Sequence, residues 1–178
     1  MYKKIYNKFL ITLNSVHIRF VALLQGSWIS LGASIYIHPG ASIEIGKGVR
    51  VGKGCVLSIL SSATLELNDG CKINSGVFIY CASYIKIGRG VRVAHYSSIL
   101  DHDYDIHSDG NYFDLPKVSM PIIIGDGVWL GAYSLIFKGV SIGDNSVIGA
   151  QAMVRKSVPG RVLAYCHSNS QLIFKELK

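Results

Sequence analysis

A short stretch of the sequence concentrates side chains that could move a proton. Its ionisable residues are Asp101, His102, Asp103, Asp105, His107 and Asp109. Histidine is the side chain best suited to exchange a proton near neutral pH, and a neighbouring carboxylate can hold its tautomer and stabilise its charged form. His102 stands at the start of a long break in a repetitive chain, directly after a rigid element. We therefore interpret His102 as a catalytic base rather than as one polar residue of a solvated acidic loop.

The residues after this stretch follow a period of six. An aliphatic residue opens each sextet, and glycine follows it in four of the first five. These opening residues are Ile124, Leu130, Ile136, Ile142, Ile148 and Val154. A helix would need apolar residues at a spacing of about 3.6, and a half-buried strand would alternate, so neither fits. The period predicts a parallel β-helix, with aliphatic residues inward and glycines at corners that often need positive φ.

A less regular ladder extends the same pattern towards the N-terminus. Its predicted inward residues are Leu31, Ile37, Ile45, Val51, Leu57, Leu67, Ile73, Ile79, Ile87, Val93 and Ile99. Three sextets per turn give about five to six triangular turns. We predict an all-β fold with an N-terminal amphipathic helical segment at 1–28 and a β-helix domain at 29–160. A protruding loop at 100–121 interrupts that domain, and a C-terminal tail follows at 161–178.

Apolar residues at helical spacing mark residues 2–24 as one amphipathic helix. Asn14, His17 and Arg19 interrupt its apolar run and no small-residue cleavage site follows, so it resembles neither a spanning helix nor a signal peptide. We expect it to cap the open end of the solenoid, to lie in a membrane interface, or both. The four cysteines form no Cys-x-x-Cys pair. Free thiols and a cytoplasmic location, including the cytoplasmic face of a membrane, are therefore expected.

The formal net charge of +7 is unevenly placed along the chain. Residues 1–43 contain no Asp or Glu, whereas five of the eleven acidic residues fall between Asp101 and Asp114. Nucleic-acid binding would require a clustered basic face with stacking aromatics, which the ladder pattern does not reveal. We predict no nucleic-acid partner, and we interpret the basic N-terminal arm as facing an anionic membrane or a phosphate-bearing ligand.

Three segments together resemble the left-handed β-helix acyltransferases. They are the sextet ladder, the break that begins DHDY, and the re-entry PIIIGDGVWLGAYSLIFKGVSIGDNSVIGAQAMV. The likeness covers about residues 30–160, and it is greatest to galactoside and maltose O-acetyltransferases and to exopolysaccharide or O-antigen acetyltransferases. It implies a hexapeptide-repeat enzyme that transfers an acetyl group from acetyl-CoA to a sugar hydroxyl of a cell-surface polysaccharide or its precursor. It also implies a homotrimer and no metal.

The resemblance implies roles for single residues. The family's loop histidine often stands in Ser-His-Asp-Tyr, and His102 in Asp-His-Asp-Tyr is the match, so it would be the general base of a direct transfer. Asn74 matches a family asparagine that contacts the acceptor sugar, and Asp101 and Trp129 are predicted to join it. The other interpretation of Asn74 is a corner residue that bonds its own backbone. The backbone N–H of Ala132 would stabilise the oxyanion.

The resemblance also implies that acetyl-CoA lies in a groove between two subunits. The matching residues are Gly131, Ala132, Ala150 and Gln151, with Arg155 and Lys156 near the nucleotide phosphates or, alternatively, a solvated basic pair. Family members usually end with Gly-x-Pro-Ala-Arg, whose arginine holds the nucleotide end. This chain instead reads Tyr-Cys-His-Ser-Asn-Ser from Tyr165 to Ser170. Either Arg155, Lys156 or Arg161 is therefore expected to contact the phosphates, or the nucleotide end of the donor is held more loosely.

Three alternatives stay open at this point. The loop does not distinguish an amine from a hydroxyl acceptor, so N-acetylation of an amino sugar is one. A zinc-dependent β-helix enzyme like a carbonic anhydrase would place three histidines around a metal between subunits, for which His95, His102 and His107 are candidates, although His107 lies inside the irregular loop. A β-helix scaffold whose loop binds a partner is the third. An acyl-cysteine route is disfavoured because no cysteine lies in the loop.

Overall fold

The computed structural model describes residues 16–108, 111, 114–166 and 172–177. Helix α1 covers residues 16–24, and the earlier part of the predicted 2–24 helix lies outside the described residues. The strands are β1 Trp28–Ile29, β2 Ser34–Ile37, β3 Ser42–Ile45, β4 Arg50–Val51, β5 Val56–Ile59, β6 Thr64–Leu67, β7 Lys72–Ile73, β8 Phe78–Cys81, β9 Tyr84–Ile87, β10 Arg92–Val93, β11 Ser98–Leu100, β12 His102–Tyr104, β13 Lys117–Ser119, β14 Ile122–Ile124, β15 Trp129–Leu130, β16 Leu135–Phe137, β17 Ser141–Ile142, β18 Val147–Ile148, β19 Met153–Val154, β20 Val162–Cys166 and β21 Leu172–Glu176.

Three sheets form the walls of a triangular prism, which we name faces A, B and C. Face A contains β1, β4, β7, β10, β15, β18 and β20, with β21 added antiparallel at its end. Face B contains β2, β5, β8, β11, β16 and β19, and face C contains β3, β6, β9, β14 and β17. Consecutive strands of the ladder lie on successive faces, so the chain winds through about six coils. Coils 1 to 6 begin with the face A strands β1, β4, β7, β10, β15 and β18, in that order.

The core is a column of aliphatic side chains inside the prism. Each sextet of the later coils turns two residues inward, two positions apart, as the fully buried Val128 and Leu130 do. Burying such a side chain contributes about 1.5–3 kcal/mol, so these stacked pairs are the main source of stability. The predicted ladder is wrong at Leu31, whose side chain is 87% exposed, and Ile29 and Ile35 take the inward positions there.

The error at Leu31 arises because the early coils are longer than the later ones. The register pairs Arg50 with Lys72, 22 residues later, but pairs Trp129 with Val147, only 18 residues later. Face B and C strands have four residues in coil 2 and two or three in coil 5, which accommodates the difference. A fixed period of six therefore locates the inward residues reliably only in the later coils.

The glycines that follow the inward residues were predicted to adopt positive φ, but the structure requires them for another reason. Gly131, directly after an inward leucine, is not among the residues with positive φ. A Cβ atom at Gly131 would lie only 2.5 Å from the backbone nitrogen of Ala150 in the next coil, so close coil stacking excludes a side chain. Positive φ occurs two residues further along, at Tyr133 with a φ of 59° and at the equivalent Gly127 with 67°.

The excursion between β11 and β14 begins and ends as a β-hairpin at the corner between faces B and C. Strand β12 pairs antiparallel with β13, which places His102 opposite Ser119. The N–H of Met120 donates to the carbonyl of Asp101 at 2.8 Å and closes the base of the hairpin. Residues 109–110 and 112–113, which include Asp109, lie outside the described residues. The predicted loop at 100–121 therefore contains two paired strands, β12 and β13, next to the β-helix.

The two ends of the prism are covered differently. Helix α1 lies over coil 1, where Ala22 is buried, Ile18 packs against the core and the Arg19 guanidinium donates to the carbonyl of Ala33. Within the described part of the chain, no helix is long and apolar enough to cross a membrane. At the other end, β20 continues face A beyond the predicted boundary at residue 160, and β21 folds back on it.

Candidate active site

His102 lies at the first position of the hairpin, where the chain leaves coil 4. Its side chain is only 11% exposed. The imidazole packs on the Tyr80 ring with 4.4 Å between centroids, and Tyr104 meets it edge-on at 6.4 Å. Tyr80 projects outward from β8, one coil below, so a rigid face supports the imidazole. The predicted catalytic base is therefore held in a fixed, largely desolvated position.

Asp101 anchors the base of the hairpin to the coil below. Its side chain has no exposed surface, and its carboxylate accepts hydrogen bonds from the backbone N–H groups of Ala82 at 2.7 Å, Ser83 at 2.7 Å and Tyr84 at 3.0 Å. Backbone N–H groups that converge on a carboxylate form strong, charge-assisted bonds. The predicted acceptor contact at Asp101 does not fit this burial. Its hydrogen bonds instead fix the start of the hairpin, directly before His102.

The protonation of His102 is set by opposing influences. Burial, the largest of them, lowers the pKa of the imidazole, the nearby Asp101 carboxylate raises it, and Lys117 lowers it. The net effect is a pKa below the ordinary value, which keeps the imidazole neutral and able to accept a proton at neutral pH. Its buried Nδ1 has no hydrogen-bond partner among the described residues and lies 3.7 Å from the Asp101 carboxylate. A small ring rotation would let Nδ1–H donate to Asp101 and leave Nε2 as the base.

Several neighbours of His102 are visible only in three dimensions. The ammonium of Lys117 lies 5.6 Å from the centroid of the Tyr80 ring, and Lys138 forms an ion pair with Asp103 at 3.4 Å. Sequence reasoning missed Tyr80, Lys117 and Lys138. Tyr80 could have been predicted as a neighbour because it points outward from the strand one coil before His102. That prediction requires the number of residues in the coil between them.

The two predicted phosphate-binding residues share a corner of the prism with His102. Arg155 and Lys156 follow β19 at the B–C corner of coil 6, while Lys138 occupies the same corner in coil 5. The Arg155 guanidinium stacks on the Phe137 ring with 4.0 Å to its centroid. The stacking orders its side chain, so Arg155 is more than a freely solvated cation. The B–C corner therefore presents Lys138, Arg155 and Lys156 in the two coils that follow His102.

The other predicted site residues lie at the A–B corner or on face A. Asn74 is exposed at that corner, where its N–H donates to the carbonyl of Val93 and its own carbonyl accepts from the Cys55 thiol. Trp129 projects outward from face A and is 53% exposed. Within one copy, the structure does not bring these residues together with His102, which occupies the B–C corner.

The remaining predicted coenzyme residues lie at the A–B corner in two neighbouring coils, Gly131 and Ala132 in coil 5 and Ala150 and Gln151 in coil 6. The N–H of Gln151 donates to the carbonyl of Ala132, and the N–H of Gly131 donates to the carbonyl of Ile148. The N–H groups of Ala132 and Ala150 have no acceptor among the described residues, so they are free to bind a ligand oxygen.

A pair of stacked tyrosines marks the same A–B corner and was not predicted. Tyr96 and Tyr133 have ring centroids 5.3 Å apart and φ values of 58° and 59°. Bulky residues rarely adopt the left-handed region, so each stores strain that glycine would avoid. Both are 56% exposed, which leaves an aromatic surface beside the free N–H group of Ala132.

The three histidines of the zinc alternative lie apart in one copy. His95 precedes Tyr96 at the A–B corner, whereas His102 is at the B–C corner. Across the described residues, no group of three His, Cys, Asp or Glu side chains is placed to hold a metal ion. The described residues of one copy therefore do not supply the three ligands that a catalytic zinc site needs.

Comparisons with known proteins agree with this architecture. Residues 121–156 match the family model described as bacterial transferase hexapeptide (six repeats). The putative lipopolysaccharide biosynthesis O-acetyl transferase WbbJ of Escherichia coli (strain K12) is 28% identical over 132 residues, which cover 70% of this chain and 67% of that protein. The galactoside O-acetyltransferase of the same organism is 25% identical over 143 residues, which cover 80% of this chain and 62% of that protein.

Solved structures share the fold. AntD, an N-acyltransferase from Bacillus cereus in complex with dTDP and 3-hydroxybutyryl-CoA, superposes with a TM-score of 0.74 at 22% identity, covering 86% of this chain and 80% of that one. The polysialic acid O-acetyltransferase OatWY gives a TM-score of 0.66 at 23% identity, covering 85% and 75%. The predicted fold class, a left-handed parallel β-helix of hexapeptide repeats, is confirmed. Residues 121–156 therefore carry the hexapeptide repeat of bacterial transferases, and the chain is similar to acetyltransferases over most of its length.

Proposed function

We propose that this protein is an acetyl-CoA-dependent O-acetyltransferase that acts on a sugar hydroxyl of a cell-surface polysaccharide or its precursor. The observation that carries the proposal is His102, a nearly buried imidazole whose pKa is lowered and whose Nδ1 faces a fixed carboxylate. A sugar hydroxyl needs a base to attack a thioester, and a neutral imidazole supplies it. The relatives named O-acetyltransferases support the same class of acceptor.

The proposed mechanism is direct transfer in a ternary complex. His102 accepts the hydroxyl proton as the sugar oxygen attacks the thioester carbonyl, and the thiolate of coenzyme A then leaves. The free N–H of Ala132 stabilises the oxyanion, and Ala150 offers a second donor in the same groove. Arg155 and Lys156 bind the nucleotide phosphates.

The residues of this mechanism come from two corners of the prism, so we propose a homotrimer in which the groove lies between subunits. The B–C corner of one copy would supply His102, Arg155 and Lys156, and the A–B corner of its neighbour would supply Ala132 and Ala150. Closed cyclic symmetry repeats such a heterologous contact three times.

We also propose a peripheral membrane contact through α1. Its exposed apolar side chains are Val16, Phe20, Leu23 and Leu24, with exposed fractions of 59%, 59%, 62% and 72%. An apolar helix face of this kind binds the interface of a bilayer and would bring the enzyme close to a lipid-linked acceptor.

The test is acetyl transfer from acetyl-CoA to a panel of neutral and acidic glycans, followed by mass spectrometry. We expect His102→Ala to lower turnover by about 10²–10⁴-fold because the base is lost. The matched control is His107→Ala, since His107 is an exposed histidine of the same hairpin and should be dispensable. Circular dichroism and gel filtration would establish that both variants fold.

N-acetylation is the second candidate function, since AntD is an N-acyltransferase on the same fold. Mild alkali removes an O-acetyl ester and leaves an amide intact, so treatment of the product distinguishes the two reactions. Near-wild-type turnover of folded His102→Ala would overturn the assignment of the base. An alkali-stable product would overturn O-acetylation.

A further inference from the structure

Face A carries a row of cations that sequence analysis did not detect. The register pairs Arg50 of β4 with Lys72 of β7, and Lys72 with Arg92 of β10. All three side chains are exposed and point outward from consecutive strands. The expectation that the ladder has no clustered basic face is therefore wrong, because coils of 22 and 20 residues bring residues that are distant in sequence into one row.

A tryptophan stands at each end of this row. Trp28 of β1 pairs with Arg50, and Trp129 of β15 pairs with Arg92, so the order Trp28, Arg50, Lys72, Arg92, Trp129 is uninterrupted. The indoles are 56% and 53% exposed. We call these five residues the basic column. It spans five neighbouring strands, each about 4.8 Å from the next.

The row of cations is unfavourable in the isolated chain. Like charges directly opposite each other on neighbouring strands are destabilising. Among the described residues, Arg50, Lys72 and Arg92 form no ion pair with an acidic group, whereas Arg89 at a nearby corner pairs with Asp126 at 2.7 Å. On face C, by contrast, the register places Lys86 opposite Glu66. The uncompensated charge on face A points to an anionic ligand.

The surface along the column is concave rather than flat. A groove of about 540 Å³ is lined by Trp28, Arg50, Lys72 and Asn74. A second groove of about 400 Å³ is lined by Arg92 and Trp129. The predicted acceptor contact Asn74 thus borders the same surface. A ligand on the column would meet cations in the middle, an aromatic ring at each end and an amide at the edge.

We propose that the basic column binds an acidic polysaccharide chain that lies along the prism axis. Carboxylates of successive sugar units would pair with Arg50, Lys72 and Arg92, and pyranose rings would pack on Trp28 and Trp129. The proposal rests on the proposed function, and it narrows the acceptor to an anionic glycan. Three cations at the strand spacing suit charges that repeat along a polymer, whereas a single phosphate group would engage only one or two of them. A membrane surface would require adjacent apolar side chains, but here cations separate the two indoles.

The two tryptophans give a direct measurement, because the chain contains no others. We would titrate the full chain, without acetyl-CoA, with oligogalacturonate and with an uncharged galactan oligomer while recording tryptophan fluorescence. The expected result is saturable quenching by the acidic oligomer, weakened by salt, and none by the neutral one at the same concentration. Trp28→Phe and Trp129→Phe would each retain part of the signal.

The charge variants test the row itself. Lys72→Gln should weaken oligogalacturonate binding roughly two- to fivefold, and the Arg50→Gln/Lys72→Gln/Arg92→Gln variant by more than about tenfold. Lys86→Gln on face C removes the same charge from another wall and should leave binding unchanged. Because the row repels itself, Lys72→Gln should keep or raise the melting temperature, so a binding defect would not reflect unfolding.

The outcomes separate this proposal from the proposed function. Binding by wild type and by His102→Ala, with loss in the triple variant, supports the column even if no acetyl transfer is found. Equal quenching by the neutral oligomer, tighter binding of oligothymidylate than of oligogalacturonate, or normal binding by the triple variant would each overturn it. If acetyl transfer proceeds on a glycan that the column does not bind, the proposed function stands and the column proposal fails.

Discussion

The environment of His102 combines features that favour a neutral imidazole. The Tyr80 ring and the surrounding hairpin remove it from water, and the lysine at position 117 adds positive charge nearby. Asp101 opposes both effects, but its carboxylate is already bonded to three backbone N–H groups of the coil below. The carboxylate raises the pKa of the imidazole less than burial lowers it, so the net shift is downward.

This balance predicts the acid limb of the pH profile. In wild type, kcat/KM for acetyl transfer should fall only below about pH 6.5, the ordinary histidine value, because the His102 pKa is lowered. Lys117→Gln removes one cause of the lowering, so its acid limb should move to higher pH. Lys138→Gln, which removes a lysine that is not among the causes of the shift, serves as the control. An unchanged limb in Lys117→Gln, or a move to lower pH, would contradict this account.

Residue type and position predicted His102 as the base, which stays a prediction, but they did not predict its neighbours. A histidine at a break in a regular ladder can be recognised from the sequence because the ladder fixes where the break begins. Tyr80 and Lys117 contact or influence it through the coil register and the hairpin pairing, which depend on lengths that vary along the chain. For the same reason the sequence suggested an acceptor contact at Asp101 although the folded chain buries that side chain.

At the scale of the coil, the sextet glycines act by allowing close approach. The corner at Gly131 lies against the backbone of residues 149 and 150 in the next coil, with no space for a methyl group. The periodicity of the sequence predicted the solenoid because every coil repeats this contact. It did not predict which glycines need positive φ, since that depends on corner geometry two residues away.

Gly131→Ala should therefore lower the free energy of unfolding by about 2–3 kcal/mol, since the new Cβ forces neighbouring backbone apart. Gly90→Ala is the control, because Gly90 has a φ of 66° and a Cβ atom added there would meet nothing within 4 Å. It should show only backbone strain, about 1 kcal/mol. Urea unfolding followed by circular dichroism measures both values. A smaller loss for Gly131→Ala than for Gly90→Ala would disprove the close-approach argument.

At the scale of the whole molecule, one prism presents two incomplete sets of site residues. His102 occupies the B–C corner, and Asn74 occupies the A–B corner on the other side of face B. The proposed trimer resolves this separation because each corner would face a different corner of the neighbouring copy. The family resemblance predicted the trimer, and the separation of the two sets is an independent reason for it.

Subunit mixing tests that arrangement. His102→Ala and Asn74→Ala should each be impaired alone. If the two variants are co-refolded in equal amounts and assemble at random, about a quarter of the sites should combine an intact His102 with an intact Asn74 from the neighbouring copy. The mixture should therefore recover about a quarter of the wild-type activity. Acetyl transfer by the mixture, compared with each variant refolded alone, is the measurement. Activity equal to the mean of the two separate variants would show that both residues act within one copy.

The closed base of the hairpin has a consequence for how such an enzyme can diversify. Asp101 and Met120 are joined across 2.8 Å, and β14 resumes face C in register with β9. The register of the coils therefore does not depend on how many residues lie between Asp101 and Met120. A hairpin of a different length can therefore be inserted between these two points without changing the register of the coils below.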